Sequence, residues 1–170
     1  MKSILSEQQL AITIKRLAHQ VLENHADLEN TVIIGLQPRG VFLSDQVVEE
    51  IKLEVSADKI HYGKLDITFY RDDIRKELHI ANHTDIPFSI EGKKVILIDD
   101  VLYTGRTIRA AMDALLDFGR PEKVELCVLI DRRFSRQFPI QPDYTGKSID
   151  TIISQKVKVE WGKKQVVIYE

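Results

Sequence analysis

The chain has 170 residues, a length that suits a single domain over 1–170 with a buried core. Hydrophobic residues make up 44% and charged residues 29%, an ordinary soluble composition, and the formal net charge of −2 gives no global pull toward nucleic acid or membrane. The single cysteine, Cys127, excludes an intrachain disulfide and a cysteine-held zinc, and no apolar run approaches the roughly 20 residues that span a bilayer. The start, MKSILSEQQL, lacks the apolar core of a secretion signal, so a cytoplasmic protein is expected.

Ser6 and Gln9 fit a capping box, in which hydroxyl and amide each reach a backbone N–H at the helix start. Leu10, Ile14, Leu17, Ala18, Val21 and Leu22 then recur at helical spacing. Residues 32–36 read as a buried strand, and Gly40 precedes a second helix with Leu43, Val47, Val48 and Ile51 on one face. Leu65, Ile67 and Phe69 alternate with Asp66, Thr68 and Tyr70, which predicts a strand. Residues 71–94 hold Arg71, Asp72, Asp73, Arg75, Lys76, Glu77, Pro87 and Gly92 with no surviving period, a long loop of the kind that is functional or mobile. His79 and His83, four apart in that loop, read as solvated residues rather than a metal pair, and His61 as a surface residue.

Residues 95–98 are the next strand. Ile108, Ala111, Met112, Leu115 and Leu116 define a helix that Gly119 and Pro121 end. Residues 124–130 are another buried strand, and Cys127 within it reads as an inert core thiol. Residues 131–155 look irregular and polar, and 157–161 with 165–169 form a hairpin across Gly162-Lys163-Lys164. Continuous apolar strands alternating with helices predict an α/β fold with a mostly parallel sheet covered on both faces. In such sheets ligands bind beyond the carboxyl ends of the strands, which selects the loops 37–40, 99–107 and 131–147.

The stretch VILIDDVLYTGRT, 95–107, concentrates the chemistry. Asp99 and Asp100 stand at the end of a strand, and Thr104-Gly105-Arg106-Thr107 leads into a helix N-terminus. Backbone N–H groups, two hydroxyls and the helix dipole suit a phosphate there, and Gly105 permits close approach and positive φ. The acids repel phosphate; they suit the neutral hydroxyls of a ribose, or a metal ion beside them. The loop has neither the Walker spacing nor a G-x-G-x-x-G fingerprint.

This stretch resembles the phosphoribosyl pyrophosphate (PRPP) motif of the type I phosphoribosyltransferases. LDITFYRDD (65–73), DDVLYTGRTIRAAMDALLDFGRP (99–121), VLIDR (128–132), PDYTGK (142–147) and KRLAHQVLE (15–23) extend the resemblance to the PyrR subgroup, regulators of pyrimidine-operon attenuation that are also uracil phosphoribosyltransferases. It implies the type I phosphoribosyltransferase fold: a twisted, mostly parallel sheet flanked by helices, with a small hood over 131–155 and a C-terminal hairpin. The implied reaction is uracil + PRPP giving UMP + pyrophosphate.

Carried over position by position, the resemblance gives Asp99 and Asp100 the ribose hydroxyls and the run Val101, Leu102, Tyr103, Thr104, Gly105, Arg106, Thr107 the rest of the PRPP and UMP contact. Gln37-Pro38-Arg39-Gly40 becomes the pyrophosphate loop, with Arg39 neutralising the leaving group beside Mg²⁺ bound through PRPP. Pro38 stands where the subgroup more often has a small hydroxyl residue, and it removes one N–H donor. Residues 71–94 match a mobile loop that closes over PRPP, with Arg71 nearest the pyrophosphate. In the hood, Asp131 and Arg132 could face base or pyrophosphate, Tyr144 aligns with a base-stacking aromatic, and Val157 flanks the base. Tyr103 replaces an acid of purine enzymes, which argues against a purine.

The subgroup's second capacity is binding pyrimidine-operon leader RNA. By position its contacts would be Lys15, His19, Arg136 and Lys147, whereas Asn24 and Gln141 stand where regulators often carry arginine. RRFSRQ is one residue longer than usual, and its arginines could rebuild a basic patch or form a solvated loop. A homodimer or homotetramer is the family expectation.

Overall fold

The computed structural model describes residues 1–70 and 83–170. The chain opens on a short strand, β1 (Lys2–Leu5), followed by helix α1 (Glu7–Asn24). The capping box starts this helix as its sequence predicts: Ser6 Oγ accepts the Gln9 N–H at 3.3 Å and Gln9 Oε1 accepts the Ser6 N–H at 2.9 Å. Leu10, Ile14, Leu17, Ala18 and Val21 form its buried face, with Leu22 only partly covered. Strand β2 (Thr31–Gln37), helix α2 (Gly40–Ile51) and strand β3 (His61–Asp66) follow. Beyond the undescribed residues come β4 (Lys94–Leu102), α3 (Arg106–Leu115), β5 (Lys123–Arg133), β6 (Tyr144–Asp150), β7 (Lys156–Glu160) and β8 (Gln165–Tyr169).

Five strands form one parallel sheet in the order β3-β2-β4-β5-β6, and β1-β8-β7 form a separate antiparallel sheet. Side chains alternate across the large sheet, and both sides are apolar. Ile33, Ile96, Ile98, Cys127 and Leu129 face α1, α2 and the small sheet; Val32, Ile34, Val95, Leu97, Leu126 and Val128 face α3. Trp161, just past β7, stacks on Phe42 of α2 with ring centroids 6.1 Å apart, and its buried Nε1 has no hydrogen-bond partner among the described residues. Among the described residues no helix is long and apolar enough to cross a membrane.

Four expectations change. The strand predicted to run through Tyr70 stops at Asp66, because the Asp66 carboxylate accepts the Thr68 N–H at 3.1 Å and the Thr68 hydroxyl at 2.6 Å, turning the chain into a short 3-10 segment and leaving Phe69 exposed. Of the predicted loop 71–94, residues 71–82 lie outside the described residues. Residues 83–93 are fastened to the fold: Asp85 bridges Lys64 of β3 and Ile90 is fully buried. On α3, Met112 and Leu116 are exposed and Ala110 and Ala114 are buried instead, since small side chains let the helix lie close on the sheet. Residues 131–155 are not wholly irregular, because β5 continues to Arg133 and β6 adds a fifth parallel strand.

Candidate active site at the carboxyl end of the sheet

β4 does not end at Ile98. It carries Asp99 and Asp100 within the strand and pairs with β5 as far as Leu102 opposite Asp131. The two carboxylates are therefore fixed by the central strand, at its carboxyl end, and are only 7% and 5% exposed. Asp99 Oδ1 accepts the Asp100 N–H at 2.9 Å. Asp100 Oδ2 accepts Arg39 Nε at 3.0 Å, and Arg39 Nη2 donates to the Val159 carbonyl of β7 at 2.8 Å. Burial pushes the Asp100 carboxyl above its usual range, and Arg39 opposes that rise without cancelling it.

The 37–40 loop reaches this point through a cis Gln37-Pro38 bond, and α2 starts against β4. A Cβ on Gly40 would stand 2.6 Å from the Ile98 carbonyl oxygen and 3.0 Å from Asp99 Cα, so only glycine allows the approach.

The 103–107 loop turns from β4 into α3 on Gly105, whose φ is +91°. Its carbonyls are held from outside by the hood. Arg136 Nη1 donates to the Tyr103 carbonyl at 2.7 Å, and the N–H groups of Gln137 and Phe138 donate to the Thr104 carbonyl at 2.8 and 3.2 Å. Arg106 Nε donates to Gln137 Oε1 at 2.7 Å, and Thr104 Oγ1 accepts the Arg106 N–H at 3.3 Å. Thr107 lies in the first turn of α3.

Asp131 and Arg132 leave β5 beside this loop. Asp131 Oδ1 pairs with Arg136 Nη2 at 2.6 Å. Arg132 is buried, donates to Thr151 Oγ1 at 2.9 Å and the Gln155 carbonyl at 3.0 Å, and lies 3.9 Å from the Tyr103 ring centroid. Burial lowers its pKa. Arg132 thus fastens the 151–155 loop to Tyr103 and is not an arm free to reach base or pyrophosphate. Val157, half-buried on β7, lies two residues from the carbonyl that holds Arg39.

Two further sequence-based assignments fail on geometry. Tyr144 does not reach the site: it opens β6 opposite Cys127, is 3% exposed, and donates its hydroxyl back toward the amino end of the sheet, to Glu125 Oε2 at 2.5 Å. Arg136 is no surface contact for RNA, because Tyr103, Ile140 and Asp131 already occupy its guanidinium. Lys15 and His19 are exposed on α1 and Lys147 on β6, and Arg16 ties these elements together by donating to the Thr145 and Gly146 carbonyls. Arg71 lies outside the described residues.

Tyr144 belongs to a second polar cluster that sequence reasoning missed. Glu125 of β5 also accepts from His25 Nε2 at 3.0 Å and pairs with Lys123 Nζ at 3.2 Å, while His25 Nδ1 meets Thr31 Oγ1 at 3.2 Å. Burial acts to raise the Glu125 pKa, but the bonds from Tyr144, His25 and Lys123 together outweigh it and hold the carboxyl below its usual range. The signal was a lone glutamate inside VELCVLI, an acid on a strand otherwise buried on both faces.

Known proteins share this architecture. Residues 1–163 match the model of the phosphoribosyl transferase domain. A protein named Bifunctional protein PyrR from Picosynechococcus is 47% identical over 157 residues, covering 92% of this chain and 88% of its own. The protein of the same name from Bacillus subtilis is 42% identical over 175 residues, covering 98% of this chain and 96% of its own. Among solved structures, a hypoxanthine phosphoribosyltransferase from Staphylococcus aureus superposes with a TM-score of 0.70 at 21% identity, over 88% of this chain and 78% of that one. One from Trypanosoma cruzi reaches 0.74 at 16% identity, over all of this chain and 91% of that one. At those identities the two structures bear on the fold alone.

Proposed function

Since the chain belongs to the phosphoribosyl transferase family, and within it to the PyrR proteins, we propose that it is a cytoplasmic uracil phosphoribosyltransferase, converting uracil and PRPP into UMP and pyrophosphate. The observation that carries this reading is the adjacent buried pair Asp99–Asp100, rigid on β4, with a glycine-led helix start one turn away and Arg39 reaching across. Two fixed carboxylates can accept the two hydroxyls of a ribose, and the 103–107 loop can take its 5′-phosphate.

In this reading the displacement at the anomeric carbon builds positive charge on the ribose and negative charge on the leaving pyrophosphate. The carboxylates would face the first, and Arg39, on the loop before α2 and paired with Asp100, would face the second. Held geometry supplies the rest, since no covalent bond to the protein is needed. The donor set also fits Mg²⁺: Asp99 and Asp100 are hard oxygen donors of the kind that would hold it together with PRPP. Bound there, that ion would supply positive charge to the pyrophosphate. Arg71 would add charge to the same leaving group from the loop over PRPP.

The test is pyrophosphate release from PRPP and Mg²⁺ with a panel of bases. Release with uracil and not with hypoxanthine, guanine or adenine is expected; release with a purine and not with uracil would refute the substrate.

The exposed Lys15, His19 and Lys147, held along one edge by Arg16, favour a second capacity, UMP-dependent binding of pyrimidine-operon leader RNA by a homodimer or homotetramer. Filter binding should show UMP-strengthened, salt-sensitive retention of leader RNA; equal retention of an unrelated RNA would count against it.

A further inference from the structure

A peptide unit is planar, so a loop that turns an N–H toward a ligand turns the carbonyl of the same unit away from it. Buried or part-buried, that outward carbonyl needs a donor of its own, or the unit can rotate and withdraw its N–H. Residues 103–105 meet this requirement in full. The Gly105 carbonyl accepts the Arg109 N–H of α3 at 3.0 Å, the Thr104 carbonyl accepts two N–H groups of the hood, and the Tyr103 carbonyl accepts Arg136. The first two donors are backbone. The third is a side chain 33 residues away in sequence.

Arg136 is built for that task. Its side chain is 22% exposed, and its fork is filled: Nη1 on the Tyr103 carbonyl at 2.7 Å, Nε on the Ile140 carbonyl at 2.8 Å, Nη2 on Asp131 at 2.6 Å. Asp131 sits opposite Leu102 in the β4–β5 ladder, so the fork is anchored to the sheet. Arg132, stacked 3.9 Å from the centroid of the Tyr103 ring, resists rotation of the same residue from its side-chain end.

Resting on the PRPP reading above, we propose that Arg136 is a positioning residue of the 5′-phosphate site: by holding the Tyr103 carbonyl it fixes the Tyr103–Thr104 peptide plane and aims the Thr104 N–H at the phosphate. Three planar donors on three acceptors are within reach of a guanidinium and beyond a single ammonium, so lysine restores the charge without the fork.

The test is equilibrium binding of UMP and of uridine to the full-length protein, which differ only in the phosphate. The unaltered protein binds UMP more tightly than uridine. Arg136→Gln should weaken UMP by about 10- to 100-fold, the range for losing a partner that orients a ligating group, and leave uridine unchanged. Arg136→Lys should fall between, and in turnover the KM for PRPP should rise while the KM for uracil holds. Urea midpoints for both variants report whether the fold is kept; if Arg136→Gln does not fold, Arg136→Lys alone carries the comparison. Equal weakening of UMP and uridine, or no weakening of UMP, overturns the proposal. No preference for UMP over uridine in the unaltered protein overturns the PRPP reading itself, and the proposal with it.

Discussion

The two ends of the central sheet each bury a carboxylate, and they treat it in opposite ways. At the amino end Glu125 is met by Tyr144, His25 and Lys123, and its pKa is held down. At the carboxyl end Asp100 is met by Arg39 and by the backbone N–H groups of Asp100 and Val101, yet burial wins, so its pKa rises. A buried charge whose partners outweigh its burial is structure; one that burial still disfavours despite its partners, at the end of the sheet where ligands bind, is a place for something else to bind. The contrast separates stability from function between two acids on adjacent strands.

The sharpest way to break the contrast is at the functional end. Asp99→Asn with Asp100→Asn should lower PRPP turnover by about 10³-fold or more, as expected when charge opposite a developing cation is removed. The melting midpoint should not fall in step, because ionised Asp100 is a cost in the folded state; retained turnover would remove both residues from the site. At the amino end the order reverses. Glu125→Leu strands the His25 and Tyr144 polar groups and should cost about 3 kcal/mol of stability in urea, in line with breaking a buried pair, while turnover per folded molecule is kept. A loss of turnover at unchanged stability would overturn the division of labour.

The same acids should carry opposite pH slopes. Glu125 has a folded pKa below its ordinary 4.5, so its contribution is complete above that value and is lost as pH falls through the folded value. Asp100 has a folded pKa above its ordinary 3.8, so its penalty is absent below that value and grows as pH rises through the folded one. Melting curves across the acid range should flatten on the acid side for Glu125→Gln and rise toward neutrality for Asp100→Asn. Identical profiles for the two variants would remove the contrast.

Smaller effects follow. Gly105→Ala meets a φ of +91° and Ile140 Cδ1 at 3.2 Å, and should cost about 1–2 kcal/mol with weaker phosphate binding. The smallest concerns Cys127, whose thiol burial pushes up to about 12: it should resist alkylation at pH 8 in the folded protein and react in urea.

The sequence shows the α1 cap, the β2 and β4 runs and the acids of β4, because each is a local pattern with a local cause. It hides β1, four residues whose partner β8 closes the far end of the chain, and β6, an edge strand whose TGKSID has no apolar alternation. It places Tyr144 by alignment in the hood, although the Tyr144 hydroxyl points back to Glu125, away from the carboxyl end of the sheet. Arg136 shows the same limit. As a residue in RRFSRQ it is one more cation, and only the turn of the hood brings its fork to the Tyr103 carbonyl.

One small feature reaches further than its size. The chain has a single tryptophan, and Trp161 lies two residues beyond the Val159 carbonyl that Arg39 grips. Its indole N–H is buried and its ring leans on Phe42, at the start of α2. The protein therefore carries its own fluorophore on the linkage between the pyrophosphate loop and the C-terminal hairpin. A ligand that draws Arg39 off Val159 should change the Trp161 emission, with no label attached.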